Sequence, residues 1–559
     1  MVKMSFKLEN PGKRFVLKRF KDQMRQFSKS EDGSISAFGF FQLIMILSCA
    51  GLAVDVLHFE TQRVRLQGTL DRAVLAATNM SQALEPSDVV LDYFDKAGLS
   101  DYINESDIEV VETNTYRRVV ATADMNVDTA FLEMIGLGDM TVTASSAAEE
   151  SVSLTEVSLV LDVSGSMGSW SYSAGRSKID ELKNAATQFV NIMQCDPANP
   201  NSTTNCIVED DQVSISVVPY AEQVLVGETL LSKFNPTEEH TSSSCVTFED
   251  SDFQTTEITT TETLQRNGHF DPWSYSSRSP SSWTCDTDSW REVVPVTHDA
   301  DTLRTAINNL GASGNTSIDI GMKWGTALLD PAAQPAIDDL IADQVLDANV
   351  SGRPYAWTKR GISKVIVLMT DGRNTYEHYL KDEYREGLSE VWYNEDAGIY
   401  SVYHEASGDY YWSSIPGYRR ASSYYRWQDH PFGEGEYEIC SYYYGCTTYS
   451  ESGTSVQLTF QELWALKPIS WYSQHSWLDY PALYHDSGDK NDRLDDICTA
   501  AKDQGVVIFS IGFEVSSSSV AVLRDCATSP SHYFDVDGLE LTSAFHTVAR
   551  EISKLRLIQ

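Results

Sequence analysis

The sequence predicts an α/β fold in which a doubly wound, mostly parallel sheet follows an apolar N-terminal helix and a small α+β module. Val157–Leu161 and Lys364–Thr370 are short, mostly apolar runs, typical of strands buried on both faces of a parallel sheet. Between them, segments such as Lys178–Met193 repeat apolar residues at helical spacing. At 559 residues, the chain is long enough for several domains and a large core.

The charge is distributed unevenly along the chain. From Met1 to Ser36 there are nine Lys or Arg against four Asp or Glu, although the formal net charge of the whole chain is −38. We therefore assign residues 1–32 to a basic segment. An acidic remainder disfavours nucleic acid as a partner.

Phe38–Leu57 is a mostly apolar stretch of twenty residues, about the length that spans a bilayer as a helix. The basic segment before it places the N-terminus in the cytoplasm and the residues after it outside, by the positive-inside rule. Asp55 lies near the end of the stretch, where it can reach the interface. Helical spacing continues to Ala77, so we expect one helix within residues 33–84 that runs from the bilayer outwards. The alternative is a buried core helix.

Residues 85–150 predict a small α+β linking module that acts as a spacer. Asp107–Glu112, Tyr116–Val127 and Met140–Ser145 have the composition of strands, and Phe131–Leu137 predicts a short helix. The module contains no recognisable catalytic set.

Residues 151–559 alternate predicted strands and helices, as an α/β domain requires. The remaining predicted elements of this domain are strands Gln212–Tyr220, Val506–Gly512 and His532–Val536, and helices Thr302–Leu310, Ile318–Leu329, Leu494–Asp503 and Phe545–Leu557. Two stretches without this periodicity, at about residues 227–297 and 373–490, are predicted insertions.

The second insertion is rich in aromatic residues, with 19 of the 27 Tyr and 6 of the 12 Trp. Tyr and Trp offer rigid, amphipathic contact area and are enriched in binding surfaces. The same residues could instead form the core of a locally packed lobe pinned by a disulfide. Composition alone leaves both interpretations open.

Polar oxygens follow the first buried strand at alternate positions, as Asp162, Ser164 and Ser166. Thr316 lies in a Gly-containing loop before a helix, and Asp371 follows the second strand in Thr-Asp-Gly. Ligand sites of open α/β sheets lie beyond the carboxyl ends of the strands. Carboxylates and hydroxyls there form a hard-oxygen set that suits Mg²⁺. The alternative is a strand-end turn with Asp and Ser caps and no metal.

The Asp-x-Ser-x-Ser sequence, the loop Thr and the Thr-Asp-Gly occur in the order seen in von Willebrand factor type A domains, and resemble their metal-ion-dependent adhesion site. The resemblance implies that Ser164, Ser166 and Thr316 ligate the ion directly. Asp162 and Asp371 would hold metal-bound waters, and a sixth position would accept an acidic side chain of a partner. The implied ion is Mg²⁺, with Mn²⁺ or Ca²⁺ as alternatives.

A second resemblance lies in Gly33-Ser-Ile-Ser-Ala-Phe, the apolar helix with Gly51-Leu-Ala-Val-Asp55, and the Ala-rich Leu70–Ala77. These residues resemble the N-terminus of the TadE/TadG-like family of tight-adherence (Flp) pilus assembly, and Leu523–Val536 with the last helix resembles its TadG-like branch. The resemblance implies a single-pass inner-membrane protein whose bulk is periplasmic and whose partners are envelope or pilus proteins. Pilin-like members carry Glu five residues after a cleavage-site Gly, whereas this chain has Phe38, so we expect the anchor to be retained.

Nine cysteines are present: Cys49 in the apolar helix and eight others beyond it. Eight cysteines allow 105 connectivities. We favour the connectivity in which each disulfide closes one local loop: Cys195–Cys206, Cys245–Cys285, Cys440–Cys446 and Cys498–Cys526. Disulfides suit an oxidising periplasm, and a zinc site is disfavoured because there is no Cys-x-x-Cys.

Three functional classes follow from the sequence. The first is a pilus-assembly or anchoring protein that binds protein partners through a metal site. The second is an envelope scaffold or an adhesin not tied to a pilus, in which metal serves only stability. The third is an enzyme, which we do not expect, because the sequence has no Gly-x-Ser-x-Gly, no phosphate loop and no His-Glu-x-x-His.

Overall fold

The computed structural model divides into two compact units, Met1–Ser151 and Val152–Gln559. The described residues are 19, 21–22, 24–25, 33–79, 84–113, 116–136, 138, 140–151, 154–204, 206, 208, 211–275, 279–359, 361–416, 426–441 and 445–558. The predicted basic segment, residues 1–32, lies almost entirely outside these residues.

Within its described residues, the first unit contains two α-helices and a three-stranded antiparallel sheet of order β1-β2-β3. The elements are α1 (Gly33–Ala77), α2 (Pro86–Ala97), β1 (Ile108–Thr113), β2 (Tyr116–Val127) and β3 (Met140–Ser151). One face of α1, including Leu66, Leu70 and Val74, packs with Phe94 of α2 and Val119 of β2 in a single buried core. Among the described residues, one helix, Ile35–Ala77, is long and apolar enough to cross a membrane. The predicted helix 131–137 is observed as one 3₁₀ turn, Glu133–Ile135.

The second unit is built on a six-stranded sheet of order β10-β7-β4-β11-β21-β22. Its strands are β4 (Leu154–Asp162), β7 (Val213–Tyr220), β10 (Val294–Thr297), β11 (Ile362–Thr370), β21 (Val507–Phe513) and β22 (Tyr533–Val536). All neighbours are parallel except β10 and β7. Numbered by their order along the chain, the strands read 3-2-1-4-5-6, so the direction of winding reverses between β4 and β11.

Helices cover both faces of this sheet. The longer helices are α3 (Lys178–Gln194), α5 (Ala300–Asn309), α6 (Ile318–Ala327), α7 (Gln334–Ala342), α10 (Ser487–Asp503), α11 (Ser517–Cys526) and α12 (Glu540–Ile558). Apolar residues of α3, α5 and α12 form one core with one face of the sheet. Those of α6, α7, α10 and α11 form another with the opposite face. Burial on both faces explains why all nine residues of β4 are buried.

Two boundaries differ from the sequence prediction. Val294–Thr297 falls inside the predicted first insertion but forms the edge strand β10 of the main sheet. The predicted helix Leu494–Asp503 is too short, because α10 begins at Ser487. Ser487 lies within the last four residues of the predicted second insertion. The earlier start has a local cause: the carboxylates of Asp486 and Asp489 form a capping box that satisfies the first backbone N–H groups.

Residues between β7 and β10 contain few regular elements, and residues between β11 and α10 form a separate β-rich lobe. The elements of the two stretches are α4 (Glu228–Leu231), β8 (Asn235–Pro236), β9 (Thr263–Leu264), β12 (Glu377–Leu380), β13 (Leu388–Asn394), β14 (Ile399–His404), β15 (Asp409–Trp412), β16 (Trp427–Gln428), β17 (Glu436–Ser441), β18 (Gly445–Ser450), β19 (Val456–Thr459), α8 (Phe460–Leu466), α9 (Ile469–Tyr472) and β20 (Ala482–His485). The lobe contains a five-stranded sheet of order β16-β15-β14-β13-β19. A short hairpin, β5 (Trp170–Ser171) and β6 (Arg176–Ser177), precedes α3.

Much of the aromatic content of this lobe is its own core. Trp412, Trp464 and Tyr472 are buried completely or almost completely. Trp464 and Tyr472 belong to one buried apolar cluster, and Trp412 to a second cluster in the same lobe. The packed-lobe interpretation therefore accounts for these side chains.

The structure confirms all four predicted disulfides: Cys195–Cys206, Cys245–Cys285, Cys440–Cys446 and Cys498–Cys526. Cys49 is the free cysteine among the described residues, and it is exposed on α1. A cluster of Glu438 with Cys440 and Cys446 resembles a metal site in composition. Because the two thiols are bonded to each other, they are not available as thiolate ligands.

Candidate metal centre at the carboxyl edge of the main sheet

The two central strands of the main sheet bring the Asp-x-Ser-x-Ser and Thr-Asp-Gly motifs of the sequence to one edge. Met369 of β11 lies opposite Leu161 of β4 in parallel register, so Asp162 and Thr370 follow side by side. This position is the point where the winding of the sheet reverses, and crevices for ligands form at such points.

Asp162 is fully buried and anchors this edge. Its Oδ1 accepts from the backbone N–H of Ser164 at 2.8 Å, and its Oδ2 accepts from the hydroxyl of Thr370 at 2.6 Å. Burial, and secondarily the negative charge of Asp371, raise the pKa of Asp162 to about 7, against the opposing effect of these hydrogen bonds. A cation beside the two carboxylates would relieve their repulsion.

A chain of oxygens leads from Ser164 to the end of β11. The hydroxyls of Ser164 and Ser166 are 3.1 Å apart, and the hydroxyl of Ser166 donates to Oδ1 of Asp371 at 2.6 Å. A hydroxyl has one proton, so Ser164 donates to Ser166 in this arrangement. Ser166 is exposed, whereas Ser164 is buried. The lone pairs of the two hydroxyl oxygens that accept no hydrogen bond here are available to a ligand at the crevice.

Thr316 lies in the loop that faces the Asp162–Ser166 segment. Two backbone hydrogen bonds join these loops, from Gly165 N to Gly314 O and from Ser313 N to Val163 O, both 2.9 Å long. The backbone N–H of Thr316 donates to the hydroxyl of Thr375 at 2.9 Å. Its loop is thus held at the crevice, although no side-chain contact joins Thr316 to the other four predicted residues in the part of the chain that the structure describes.

The donor set fits a small, hard cation. Two carboxylates and three hydroxyls are the oxygen ligands that Mg²⁺ prefers. Neighbouring ligands in an octahedron with Mg–O bonds of about 2.1 Å lie about 3 Å apart. The 3.1 Å between the hydroxyls of Ser164 and Ser166 matches this spacing. Ser164, Ser166, Thr316 and the two carboxylates could therefore hold such an ion.

Four neighbours of the site carry roles that the sequence did not predict. Thr370 belongs to the Thr-Asp-Gly motif, so its place before Asp371 could have identified it from the sequence as a neighbour of the site. Lys178, at the start of α3, places its Nζ 3.0 Å from Oδ2 of Asp371 and 3.6 Å from Oε2 of Glu514. Lys490 of α10 donates to the carbonyl of Thr316 at 3.0 Å. Lys178 and Glu514 are distant in sequence from Asp371, as Lys490 is from Thr316, and none of the three carries a local signal.

Exposed aromatic rings lie beside the Thr316 loop. The side chain of Asn315 donates to the carbonyl of Tyr376 at 2.9 Å. The rings of Tyr376 and Tyr484, both largely exposed, meet edge to face with centroids 5.1 Å apart. A cavity of about 460 Å³, lined in part by Gly314, Asn315 and Trp273, opens next to the same loop. The surface around the site is therefore partly aromatic and recessed.

The fold and this oxygen-lined edge define an α/β protein with a candidate metal-binding crevice at the switch point of its main sheet. Residues 33–80, in the other unit, match the Tad family model, described as Flp pilus-assembly TadE/G-like. No curated protein matches the sequence.

Among solved structures, the chain is similar to the vWF domain of the type V pili tip protein Mfa5 from Porphyromonas gingivalis, with 14% identity, 72% of this chain and 97% of that chain covered, and a TM-score of 0.30. It is also similar to the pilus adhesin SpaC from Lactobacillus rhamnosus GG, with 13% identity, 80% and 34% coverage, and a TM-score of 0.30. The PilB minor pilin from Streptococcus sanguinis shows 13% identity, 80% and 77% coverage, and a TM-score of 0.27.

Proposed function

We propose that this protein is a membrane-anchored envelope protein of tight-adherence (Flp) pilus assembly or anchoring, and that a von Willebrand A-type adhesion site in its second unit binds protein partners through Mg²⁺. The metal site is supported by a hydrogen-bonded set at the switch point of the sheet, in which Asp162 accepts from the backbone N–H of Ser164 and the hydroxyls of Ser164 and Ser166 lead to Asp371.

The donor chemistry suggests how such a site would select a partner. Ser164, Ser166 and Thr316 would contribute neutral hydroxyl ligands, which leave a divalent ion short of negative charge. Asp162 and Asp371 would orient water molecules around it. An acidic side chain of an envelope or pilus protein would then complete the coordination.

The anchoring part of the proposal is supported by α1 and by the match of residues 33–80 to the TadE/G-like family model. We infer that residues 38–57 span the bacterial inner membrane once, with the N-terminus in the cytoplasm and the bulk of the chain in the periplasm. Four disulfides suit that oxidising compartment.

Calorimetric titration of the full-length protein in lipid nanodiscs tests the metal site. Mg²⁺ and Mn²⁺ should bind saturably to the native protein and to Asp382→Asn, a control at a fully exposed carboxylate. Asp162→Asn should weaken binding at least about tenfold, because it removes one of the two carboxylates at the site. Equal binding by all three proteins would refute the site.

A stabilising scaffold is the second candidate function, favoured by the internally packed aromatic lobe. In that case Mg²⁺ would raise the melting temperature, but capture of envelope proteins by the native chain would be the same in Mg²⁺ and in chelator. Capture that is lost in chelator and in Asp162→Asn would support adhesion. We propose no catalytic role, since no nucleophile and base pair is identified among the described residues.

A further inference from the structure

A loop of the first unit is held against α1 by a single carboxylate. Asp55, which is 4% exposed, accepts hydrogen bonds from three consecutive backbone N–H groups: Ala130 at 3.1 Å, and Phe131 and Leu132 at 2.7 Å each. These contacts satisfy the N–H groups that precede the 3₁₀ turn Glu133–Ile135. The loop between β2 and β3 is thus docked at one defined level of the helix.

One helical turn before Asp55, the loop packs directly against the backbone of α1 at Gly51. A Cβ atom at Gly51 would lie 2.4 Å from the ring of Phe131, so the ring packs directly against the bare helix surface. Gly51 and Asp55 are four residues apart and lie on one face of α1. Both fall within the last two turns of the apolar stretch 38–57, so the loop lies beside the end of the proposed membrane span.

Two large apolar side chains of this loop are exposed, on either side of the exposed Glu133. Met134 is 82% exposed and Phe131 is 43% exposed, although the ring of Phe131 touches Gly51. At the same level of α1, the exposed side chains are also apolar: Leu52, Val54, Val56 and Leu57. The exposed apolar side chains of the loop, Phe131 and Met134, therefore lie at the level of an exposed apolar band of the helix.

We propose that the loop 130–136 inserts into the outer leaflet of the bilayer that α1 spans, as a second membrane contact of the first unit. The proposal rests on the proposed membrane anchoring. The occupant is lipid because Phe131 and Met134 extend the exposed apolar band of the helix, with Glu133 as the charged side chain exposed between them. The three N–H groups also explain how a carboxylate is tolerated at this depth, since a charge at a membrane edge needs hydrogen-bonding partners.

Site-specific fluorescence in nanodiscs tests this contact in the full-length protein. In a Cys49→Ser background, Met134→Cys is labelled with an environment-sensitive dye, and quenching by brominated lipids is compared with quenching by aqueous iodide. The matched control is Ser100→Cys, at an exposed hydroxyl. Arg65 of α1 donates to the carbonyl of Ala97, three residues before Ser100, at 2.6 Å. Because Arg65 is ten residues after Asp55, this contact lies about 15 Å farther along α1 than the docked loop.

The native Cys49, labelled in the otherwise unchanged protein, reports on the anchor itself. We expect brominated lipids to quench the dyes at positions 49 and 134, and iodide to quench the dye at position 100. If brominated lipids quench the dye at position 49 but only iodide quenches the dye at position 134, the inference is overturned and the anchor is left intact. Absence of lipid quenching at 49 would overturn the anchor, and the inference with it. Shielding of position 134 from both quenchers would assign the loop to a second copy of the chain and also overturn the inference.

Discussion

The hydroxyl of Ser166 donates a 2.6 Å hydrogen bond to Oδ1 of Asp371 across 205 residues of sequence. The contact joins the loop after β4 to the end of β11, the two strands between which the winding of the sheet reverses. Parallel strands that are neighbours in space deliver their carboxyl ends to the same edge. Two short motifs far apart in the chain therefore become one oxygen cluster.

Ser166→Ala should weaken Mg²⁺ binding by about 10- to 100-fold, because it removes both a hydroxyl of the cluster and the donor that orients Asp371. The measurement is calorimetric titration of the full-length protein in nanodiscs. Ser169→Ala is the matched control, since Ser169 is exposed in the same loop. Unchanged affinity in Ser166→Ala would remove this hydroxyl from the proposed site.

Lys178→Met should strengthen Mg²⁺ binding by about tenfold, because a positive charge next to Asp371 opposes a cation there. Methionine retains an apolar stem beside Phe513, over whose ring the Lys178 ammonium lies at 5.8 Å. Lys183→Met on the same helix is the control and should leave affinity unchanged. Weaker binding in Lys178→Met would show instead that the lysine positions Asp371.

Acidification should destabilise the second unit through His485. Nη2 of Arg493 lies 2.9 Å from Nε2 of His485, and because Arg can only donate, the ring nitrogen must accept and be unprotonated. Burial, followed by the charge of Arg493, lowers the pKa of His485 to about 4. The contribution of the neutral ring is complete above the unfolded-state pKa of about 6.5 and is lost as the pH falls from there towards 4.

Chemical denaturation between pH 8 and pH 4.5 measures this effect. His485→Gln retains a side-chain oxygen acceptor and cannot be protonated. On acidification its free energy of unfolding should therefore fall by about 1 kcal/mol less than that of the native protein, allowing for solvent screening of the partly buried ring. At pH 8 the two proteins should differ only by a constant offset. Parallel pH profiles would exclude His485 as a source of acid sensitivity.

Removing Cys245–Cys285 should cost more stability than removing Cys440–Cys446. The first pair closes a separation of 40 residues and the second a separation of 6. From the chain entropy that each bond removes from the unfolded state, the expected contribution to the free energy of unfolding is about 4 kcal/mol for the longer loop and about 2 kcal/mol for the shorter one. Cys245 and Cys285 are also buried with Leu225.

Each pair is replaced by Ala, and the free energy of unfolding is compared by denaturant titration under non-reducing conditions. The Cys440/Cys446 variant serves as the control for loss of a disulfide as such. An equal loss in the two variants would contradict the expected dependence on loop length.

Much of the main sheet and of the candidate site was predictable from the sequence, because the relevant information is local. The apolar runs of β4 and β11 identify strands buried on both faces, and Asp162, Ser164 and Ser166 are nearly contiguous. Local spacing was also sufficient for the four disulfide pairs, since each closes a short or moderate loop.

Other features depend on what packs against a segment and were decided only by the tertiary structure. Thr297 and its neighbours became an edge strand because β7 offered a free edge. Lys178 meets Asp371 across 193 residues. Asp55 is enclosed by a loop more than seventy residues away in the sequence. The sequence by itself determined which residues carry oxygens, charges and apolar surface. Only the folded chain decided which of them meet, because burial and hydrogen bonding are properties of neighbours in space.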